Sequence, residues 1–325
     1  MRAMVLAAGL GTRLRPLTYG VPKPMVPVAN RPVMEHILLL LRRHGFERVI
    51  ANLHWFPELI RDRFGDGSGL GVDLTYSYED ELLGTAGGVR NVAEFFGDEP
   101  FLVMAADALT DIDVGALRAA HEANPSIATL AVKRVPNVSE FGVVVTGSDG
   151  RVQGFQEKPD AAEALSDLAN CMIYILEPEI FDYFPDQPVV DFALQVFPTL
   201  LENDVAFHVH EIDSYWNDVG SLPEYLRGNL DAVEGAVDVE LGGSLLDASG
   251  GDESVEHGDP GVSGMVLAAP GCDLDATARL DGPLVIGDGS VVGAGALVKH
   301  SVLLPGAEVA PGMVVAGAVV GRRPA

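Results

Sequence analysis

The chain is poor in the residues that mark secreted, metal-stapled or nucleic-acid-binding proteins. Its 325 residues include only two cysteines, Cys171 and Cys272, too far apart for a zinc-ligand spacing and too few for a disulfide framework. Lysine occurs four times, at Lys23, Lys133, Lys158 and Lys299, and 21 basic residues face 47 acidic ones, for a formal charge of -26. Such a field repels nucleic-acid backbones and anionic membrane surfaces, so neither is an expected partner. Long apolar runs are missing too: no segment reaches the roughly 18 unbroken apolar residues of a membrane span. The apolar start, residues 1–8, is interrupted from Gly9 to Arg15, before a signal-peptide core is complete. A reducing cytoplasm is the expected location.

What is present is ample core material, with 48% apolar and 21% charged residues. Up to about residue 232, short apolar runs alternate with amphipathic stretches, which predicts an α/β fold: a Rossmann-like mixed, mostly parallel sheet flanked by helices. Residues 3–8 read as a buried strand. Pro32 opens a helix on Val33, Met34, Ile37, Leu38 and Leu41, with its stop at Gly45, and a strand follows over 46–53. The apolar run 101–106 places Asp107 at a strand's C-terminal end, where open α/β sheets collect ligands. Asp191-Phe192 reads as a helix cap with core residues behind it, and His54 and Trp55 as packing residues.

Residues 233–264 form an acidic, Gly/Ser-rich stretch that includes Ser249-Gly250-Gly251-Asp252-Glu253-Ser254, and are expected to be a linker or loop. Beyond it, Ile286-Gly287, Val292-Gly293 and Val298-Lys299 recur at six-residue steps, and Leu303, Val309 and Val315 continue the period after a one-residue slip. This predicts a short left-handed β-helix-like hexapeptide region over 265–325, of about two coils. His300 as the base of an acyltransferase is the lesser reading; subunit contact in a homo-oligomer is the expected role.

The most specific feature is Leu6-Ala7-Ala8-Gly9-Leu10-Gly11-Thr12-Arg13-Leu14-Arg15-Pro16-Leu17-Thr18, followed by Pro22-Lys23-Pro24-Met25. Glycines after a strand let the backbone approach phosphates, and nearby cations balance their charge. Gly9-x-Gly11 is neither a Walker loop nor a full dinucleotide fingerprint, so glycine spacing alone leaves several nucleotide folds open. Further along stand Leu83-Gly84-Thr85-Ala86-Gly87-Gly88, Phe141-Gly142-Val143-Val144, Phe155-Gln156-Glu157-Lys158-Pro159, Asn170 with the residues up to Ile175, and Tyr215-Trp216-Asn217-Asp218-Val219-Gly220.

Together, and in this order, these strings resemble the sugar-1-phosphate nucleotidyltransferases, which include mannose-1-phosphate guanylyltransferases and glucose-1-phosphate thymidylyl- and uridylyltransferases. The resemblance implies transfer of a nucleotidyl group from a nucleoside triphosphate to a sugar 1-phosphate, with Mg²⁺ as cofactor. It also implies the site. Arg13 would stabilise charge on the triphosphate, and Lys23 would bridge the α-phosphate and the sugar phosphate. Leu6, Ala7, Ala8, Gly9, Gly11, Thr12, Gly84 and Thr85 would surround the nucleotide. Gly142, Glu157, Lys158 and Asn170 would hold the sugar phosphate. Asp107 and Asp218 would ligate Mg²⁺, which is commonly bound by one or two carboxylates together with water and phosphates.

Glu79 lies five residues before Gly84, where pyrimidine-using relatives tend to carry glutamine. A carboxylate accepts both N1-H and N2-H of guanine but meets only N3-H on uracil or thymine, which favours GTP, and by family association mannose 1-phosphate. Glu79-Asp80-Glu81 reads equally as an acidic surface turn. Glucose-1-phosphate thymidylyl or uridylyl transfer is the alternative chemistry, and a non-catalytic nucleotide-sugar-binding subunit the alternative class. Two residues depart from the family pattern: Ala106 stands where glycine usually precedes the metal-binding aspartate, and Met172 where glycine is common.

Overall fold

The computed structural model describes residues 1–124, 126–247 and 260–321. Strand β1 (Arg2–Leu6) runs through the middle of the main sheet, its Ala3, Met4 and Val5 fully buried, as a strand covered on both faces requires. It pairs in parallel with β2 (Arg48–Leu53) on one side and β4 (Phe101–Ala105) on the other, and β3 (Asp73–Tyr78) extends the parallel half beyond β2. Antiparallel pairing begins where β8 (Leu168–Leu176) joins β4. From β8 the sheet branches. One branch holds β6 (Gly142–Thr146) and β7 (Val152–Glu157), the other β5 (Ala128–Arg134) and β9 (His208–Glu211), giving nine strands among the described residues. The expected mixed α/β sheet is the one found.

Period-two alternation along β1 sorts its side chains into two cores. Ala3 and Val5 join Met34, Ile37, Leu38 and Leu41 of the helix Val33–Arg43, and these four helix residues are fully buried. Met4 joins Val103 and an aromatic group on the opposite face, where Phe192, Phe197 and Phe207 stack around Tyr174. Asp191 does cap the stretch behind it, accepting from the N-H groups of Ala193 and Leu194 at 2.9 and 3.2 Å.

After the helix Leu222–Val233 the chain enters three short-stranded sheets that together form a solenoid. The expected linker's segment 248–259, with the Ser249 to Ser254 run, lies outside the described residues. The one-residue slip is visible in the coil register: Arg279 sits opposite Leu297, an offset of eighteen, whereas Leu297 sits opposite Val314, an offset of seventeen. His300, at φ +46°, stands in the turn that absorbs the difference. The estimate of two coils is corrected. Strands at Gly261–Ser263, Met265–Ala268 and Asp273–Leu274 form a coil ahead of the visible repeat, followed by those beginning at Arg279, Leu297 and Val314. The six-residue period in fact runs back unbroken from Ile286 through Leu280, Leu274 and Ala268 to Val262, and these residues pack into or against the same solenoid core.

The solenoid packs onto the side of the main sheet that carries the segment around Val26 to Asn30. Val26, Val28 and Ala29 share a core with Leu267, Val285 and Val302. Asn30 Nδ2 donates to the Ile286 carbonyl at 3.0 Å, and the Tyr225 hydroxyl donates to the Pro27 carbonyl at 2.6 Å. The segment just after Lys23 is thereby clamped from two sides.

Candidate active site

The C-terminal ends of β1, β2 and β4 converge, and the loop leaving β1 covers them. Gly11 has φ +60°, and a Cβ there would lie 2.9 Å from Lys23 Cβ, so backbone conformation and space both require glycine. Thr18 Oγ1 donates to the Gly11 carbonyl at 2.7 Å and ties the loop down. Within the single helical turn Thr12–Leu14, Leu14 is buried and Arg13 faces the cleft, with its side chain 55% exposed and a guanidinium nitrogen 3.6 Å from Asp218 Oδ2.

Lys23 is the hub. Held between Pro22 and Pro24 with a side chain 9% exposed, it places Nζ 2.8 Å from Asp107 Oδ2 and donates to the Asp218 carbonyl at 2.8 Å. Asp107 follows β4. Asp218 is delivered by a short antiparallel pair in which Trp216–Asn217 lies against Leu109–Thr110, only two residues beyond Asp107. This ladder explains how two acids distant in sequence share one ammonium. Next to Asp218, Val219 adopts φ +45°, an unusual conformation for a β-branched residue. Asn217 Oδ1 accepts its N-H at 2.8 Å and holds it there, while Gly220 N donates to Asp218 Oδ1 at 3.0 Å. Strain retained around a carboxylate fixes the direction in which it points.

Two adjoining cavities open at this hub. The larger, about 760 Å³, is lined by Arg13, Lys23 and Asp218 at one end and by Gly142, Glu157 and Lys158 at the other, with Asn170 between. The smaller, about 280 Å³, is lined by Leu6, Ala7, Ala8 and Gly9 and, across from them, by Glu79, Gly84 and Thr85. Ala105, Asp107 and Met172 line both. Of the residues expected from sequence, only Gly11 and Thr12 line neither: Gly11 packs under Lys23, and Thr12 is exposed at the rim.

Several of these groups are also bonded within the protein. Glu79 is 6% exposed, with Oε1 accepting from Asn52 Nδ2 at 2.8 Å and Oε2 from Leu83 N at 3.1 Å. Thr85 Oγ1 donates to Asp191 Oδ2 at 2.7 Å and accepts from Phe192 N at 3.0 Å, so its hydroxyl braces the helix it begins. Lys158 has φ +45° and lies 3.4 Å from Glu157 Oε1, both side chains about half exposed. Gly84, at φ +80°, would bring a Cβ to 2.4 Å from the Val190 carbonyl.

Asn52 escaped the sequence reading. It is buried at the end of β2, lines the smaller cavity, and accepts from Ala7 N at 2.9 Å while donating to Glu79. The available signal was a lone amide inside the apolar run Ile50-Ala51-Asn52-Leu53. Ala106 turns out not to face the cleft: its methyl is fully buried in the core beneath β1, and only its neighbours Ala105 and Asp107 reach the cavities. Cys171 lines the larger cavity, but burial pushes its thiol well above the usual range, so it stays protonated and is a poor nucleophile.

The two carboxylates offer hard oxygen donors, with side chains 31% and 18% exposed toward the cleft. Among the described residues no group of three or more His, Cys, Asp or Glu side chains could hold a metal alone. A pair of acids fits Mg²⁺, which is commonly held by one or two carboxylates and takes its remaining ligands from water and phosphates. No helix among the described residues is long and apolar enough to cross a membrane.

The nucleotidyl transferase family profile matches residues 2–235. A UTP–glucose-1-phosphate uridylyltransferase from Synechocystis is 41% identical over 254 residues, covering 74% of this chain and 64% of that protein. A mannose-1-phosphate guanylyltransferase from Mycobacterium tuberculosis is 34% identical over 289 residues, covering 87% of this chain and 79% of that protein. Thus the chain spans somewhat less than two thirds of the cyanobacterial relative's length. Among solved structures, a UDP-glucose pyrophosphorylase from Acinetobacter baumannii superposes with a TM-score of 0.63 at 22% identity, over 73% of this chain and 95% of that one. Sequence match, fold and cleft agree, and the chain belongs to the nucleotidyl transferase family of sugar-1-phosphate nucleotidyltransferases.

Proposed function

We propose that the protein joins a nucleoside triphosphate to a sugar 1-phosphate, releasing pyrophosphate, and that GTP and mannose 1-phosphate are its substrates. The observation that carries the reading is Lys23, which lines the larger cavity, pairs with Asp107 where that acid lines both cavities, and donates to the main-chain carbonyl of Asp218. A sugar-phosphate oxygen attacks the α-phosphorus in line with the departing pyrophosphate, a reaction that needs positioning and charge neutralisation more than covalent help. Lys23 spans the α-phosphate and the attacking phosphate, Arg13 balances charge on the triphosphate, and Lys158 grips the sugar phosphate. Glu157 and Asn170 accept and donate to sugar hydroxyls. Asp107 and Asp218 would hold Mg²⁺, which supplies charge neutralisation on the phosphates when bound.

GTP is favoured by Glu79. Each of its oxygens keeps one lone pair after the bonds from Asn52 and Leu83, enough for the two N-H groups on one edge of guanine. The identity to the cyanobacterial uridylyltransferase supports a second reading, UTP with glucose 1-phosphate. Pyrophosphate release measured over GTP, UTP, dTTP, ATP and CTP against mannose, glucose and N-acetylglucosamine 1-phosphates tests both. The fastest release is expected for GTP with mannose 1-phosphate. Fastest release with UTP and glucose 1-phosphate favours the second reading, and binding without release from any pair supports a regulatory subunit instead. Association through the solenoid, where Met313 and Val314 are exposed, is tested by sedimentation of the full chain against a variant with charged residues at those positions.

A further inference from the structure

Met172 stands at the junction of the two cavities and lines both. It has φ +56°, a conformation that costs any residue with a Cβ roughly 1–2 kcal/mol. The strand is bulged there: Asn170 pairs with Val132 and Tyr174 with Leu130, so four steps on β8 face two on β5. Bulges beside a site re-aim a side chain. This one is secured twice. Asn170 Oδ1 accepts the Met172 N-H at 3.1 Å, fixing the backbone, and the Tyr174 hydroxyl lies 3.3 Å from Met172 Sδ, fixing the side chain. Asn170 Nδ2 donates to that same hydroxyl at 2.8 Å and closes the network. Tyr174 is fully buried, with Phe192 and Phe197 edge-on at 5.4 and 5.3 Å. Burial raises its pKa, so the hydroxyl keeps its proton and donates to the sulfur.

Glycine would relieve the backbone strain at this position, yet a long side chain is kept and held in one direction. Resting on the nucleotidyl-transfer reading, we propose that Met172 is a specificity-determining residue, setting the size and polarity of the sugar pocket so that unsubstituted hexose 1-phosphates are preferred over N-acetylhexosamine 1-phosphates. The thioether is a weak acceptor and no donor, so it meets a sugar's C-H face well and an amide poorly. Lining both cavities, its side chain fills room at their junction that a glycine would leave open to a larger sugar substituent. A mismatch of about one methylene in such a pocket changes discrimination by roughly 10- to 200-fold.

The test compares kcat/KM for mannose and glucose 1-phosphates with that for N-acetylglucosamine 1-phosphate in the wild type, Met172→Gly and Met172→Ala. The hexose preference should fall at least about tenfold in both variants. Met172→Leu, close in volume, should keep it. Met172→Gln retains the length and adds polarity, and it should lower the preference even if both small variants fail to fold. A wild-type preference for the N-acetylated substrate, or a preference unchanged in variants that still turn over, overturns the assignment of Met172. Lack of turnover by the wild type with every pair contradicts the nucleotidyl-transfer reading itself, and this one with it.

Discussion

Lys23 Nζ lies 2.8 Å from Asp107 Oδ2 and donates, at the same distance, to the main-chain carbonyl of Asp218. One buried ammonium thus joins the two acids proposed for the metal, and its own burial is compensated before any substrate arrives. Replacing it with Met removes a cation aimed at the reacting phosphates. Turnover should fall by roughly 10²–10³, as for loss of a preorganised donor. Because Asp107 is partly exposed and can be solvated, the melting temperature should change little. Parallel pyrophosphate-release and thermal-unfolding measurements check this; a large loss of stability with normal specific activity in the folded fraction would count against the hub.

Arg13 makes a similar prediction from the opposite environment. Its side chain is 55% exposed, so Arg13→Ala should alter stability by no more than about 0.5 kcal/mol, the usual range for surface positions. Activity should drop far more than that figure would produce. Denaturant unfolding and initial rates on one preparation compare the two effects.

Metal dependence should follow the two acids. Chelation is expected to abolish turnover and added Mg²⁺ to restore it. Asp107→Asn or Asp218→Asn should raise the Mg²⁺ concentration for half-maximal rate by at least about tenfold, since even residues behind a metal's ligands influence affinity that strongly. Rates that ignore chelation would remove Mg²⁺ from the account.

Much of this site was legible because its chemistry is concentrated in contiguous strings. The loop at Gly9, Lys23 between prolines and the Asp218 string are local, and the unbroken apolar run Ala3-Met4-Val5 announces a strand covered on both faces. Other features depend on register between distant segments. Asn52 looks like an ordinary amide until β2 is laid beside β1 and its Oδ1 meets Ala7 N. The harmless direction of Ala106 depends on how β4 leaves the sheet. In the solenoid the first coil was legible as well: the six-residue period reaches back from Ile286 through Leu280, Leu274 and Ala268 to Val262, and pairing with a coil eighteen residues on holds that coil in place.

Base choice can be separated from catalysis at Glu79. Glu79→Gln replaces one acceptor by a donor in a pocket where Asn52 and Leu83 already donate. The ratio of kcat/KM for GTP over UTP should fall by about tenfold or more, the worth of one hydrogen bond to a charged group. An unchanged ratio means that the base is read elsewhere.

Stability should depend on pH through His36. Burial lowers its pKa, outweighing the Val28 carbonyl and the nearby Glu35, and its Nδ1 has no hydrogen-bond partner among the described residues. In the unfolded chain the imidazole returns to about 6.5. Below that value the unfolded state binds a proton that the folded state resists, so the contribution is fully present above pH 6.5 and is lost as pH falls toward the folded-state pKa. Thermal unfolding between pH 8 and 5 should show this decline, and His36→Gln, which can still donate to the Val28 carbonyl, should flatten it. The share from His210, also lowered by burial, would remain. An identical slope in the variant refutes the assignment.

The most direct measurement of the central claim follows the α-phosphorus itself. GTP labelled at that phosphorus is incubated with mannose 1-phosphate, Mg²⁺ and either the wild type or Lys23→Met. Attack at that atom predicts label in a guanosine diphosphate sugar, unlabelled pyrophosphate in equal amount, and loss of both products in the variant. Label that stays in GTP, or appears only in GMP or GDP, would contradict nucleotidyl transfer to the sugar phosphate with this substrate pair.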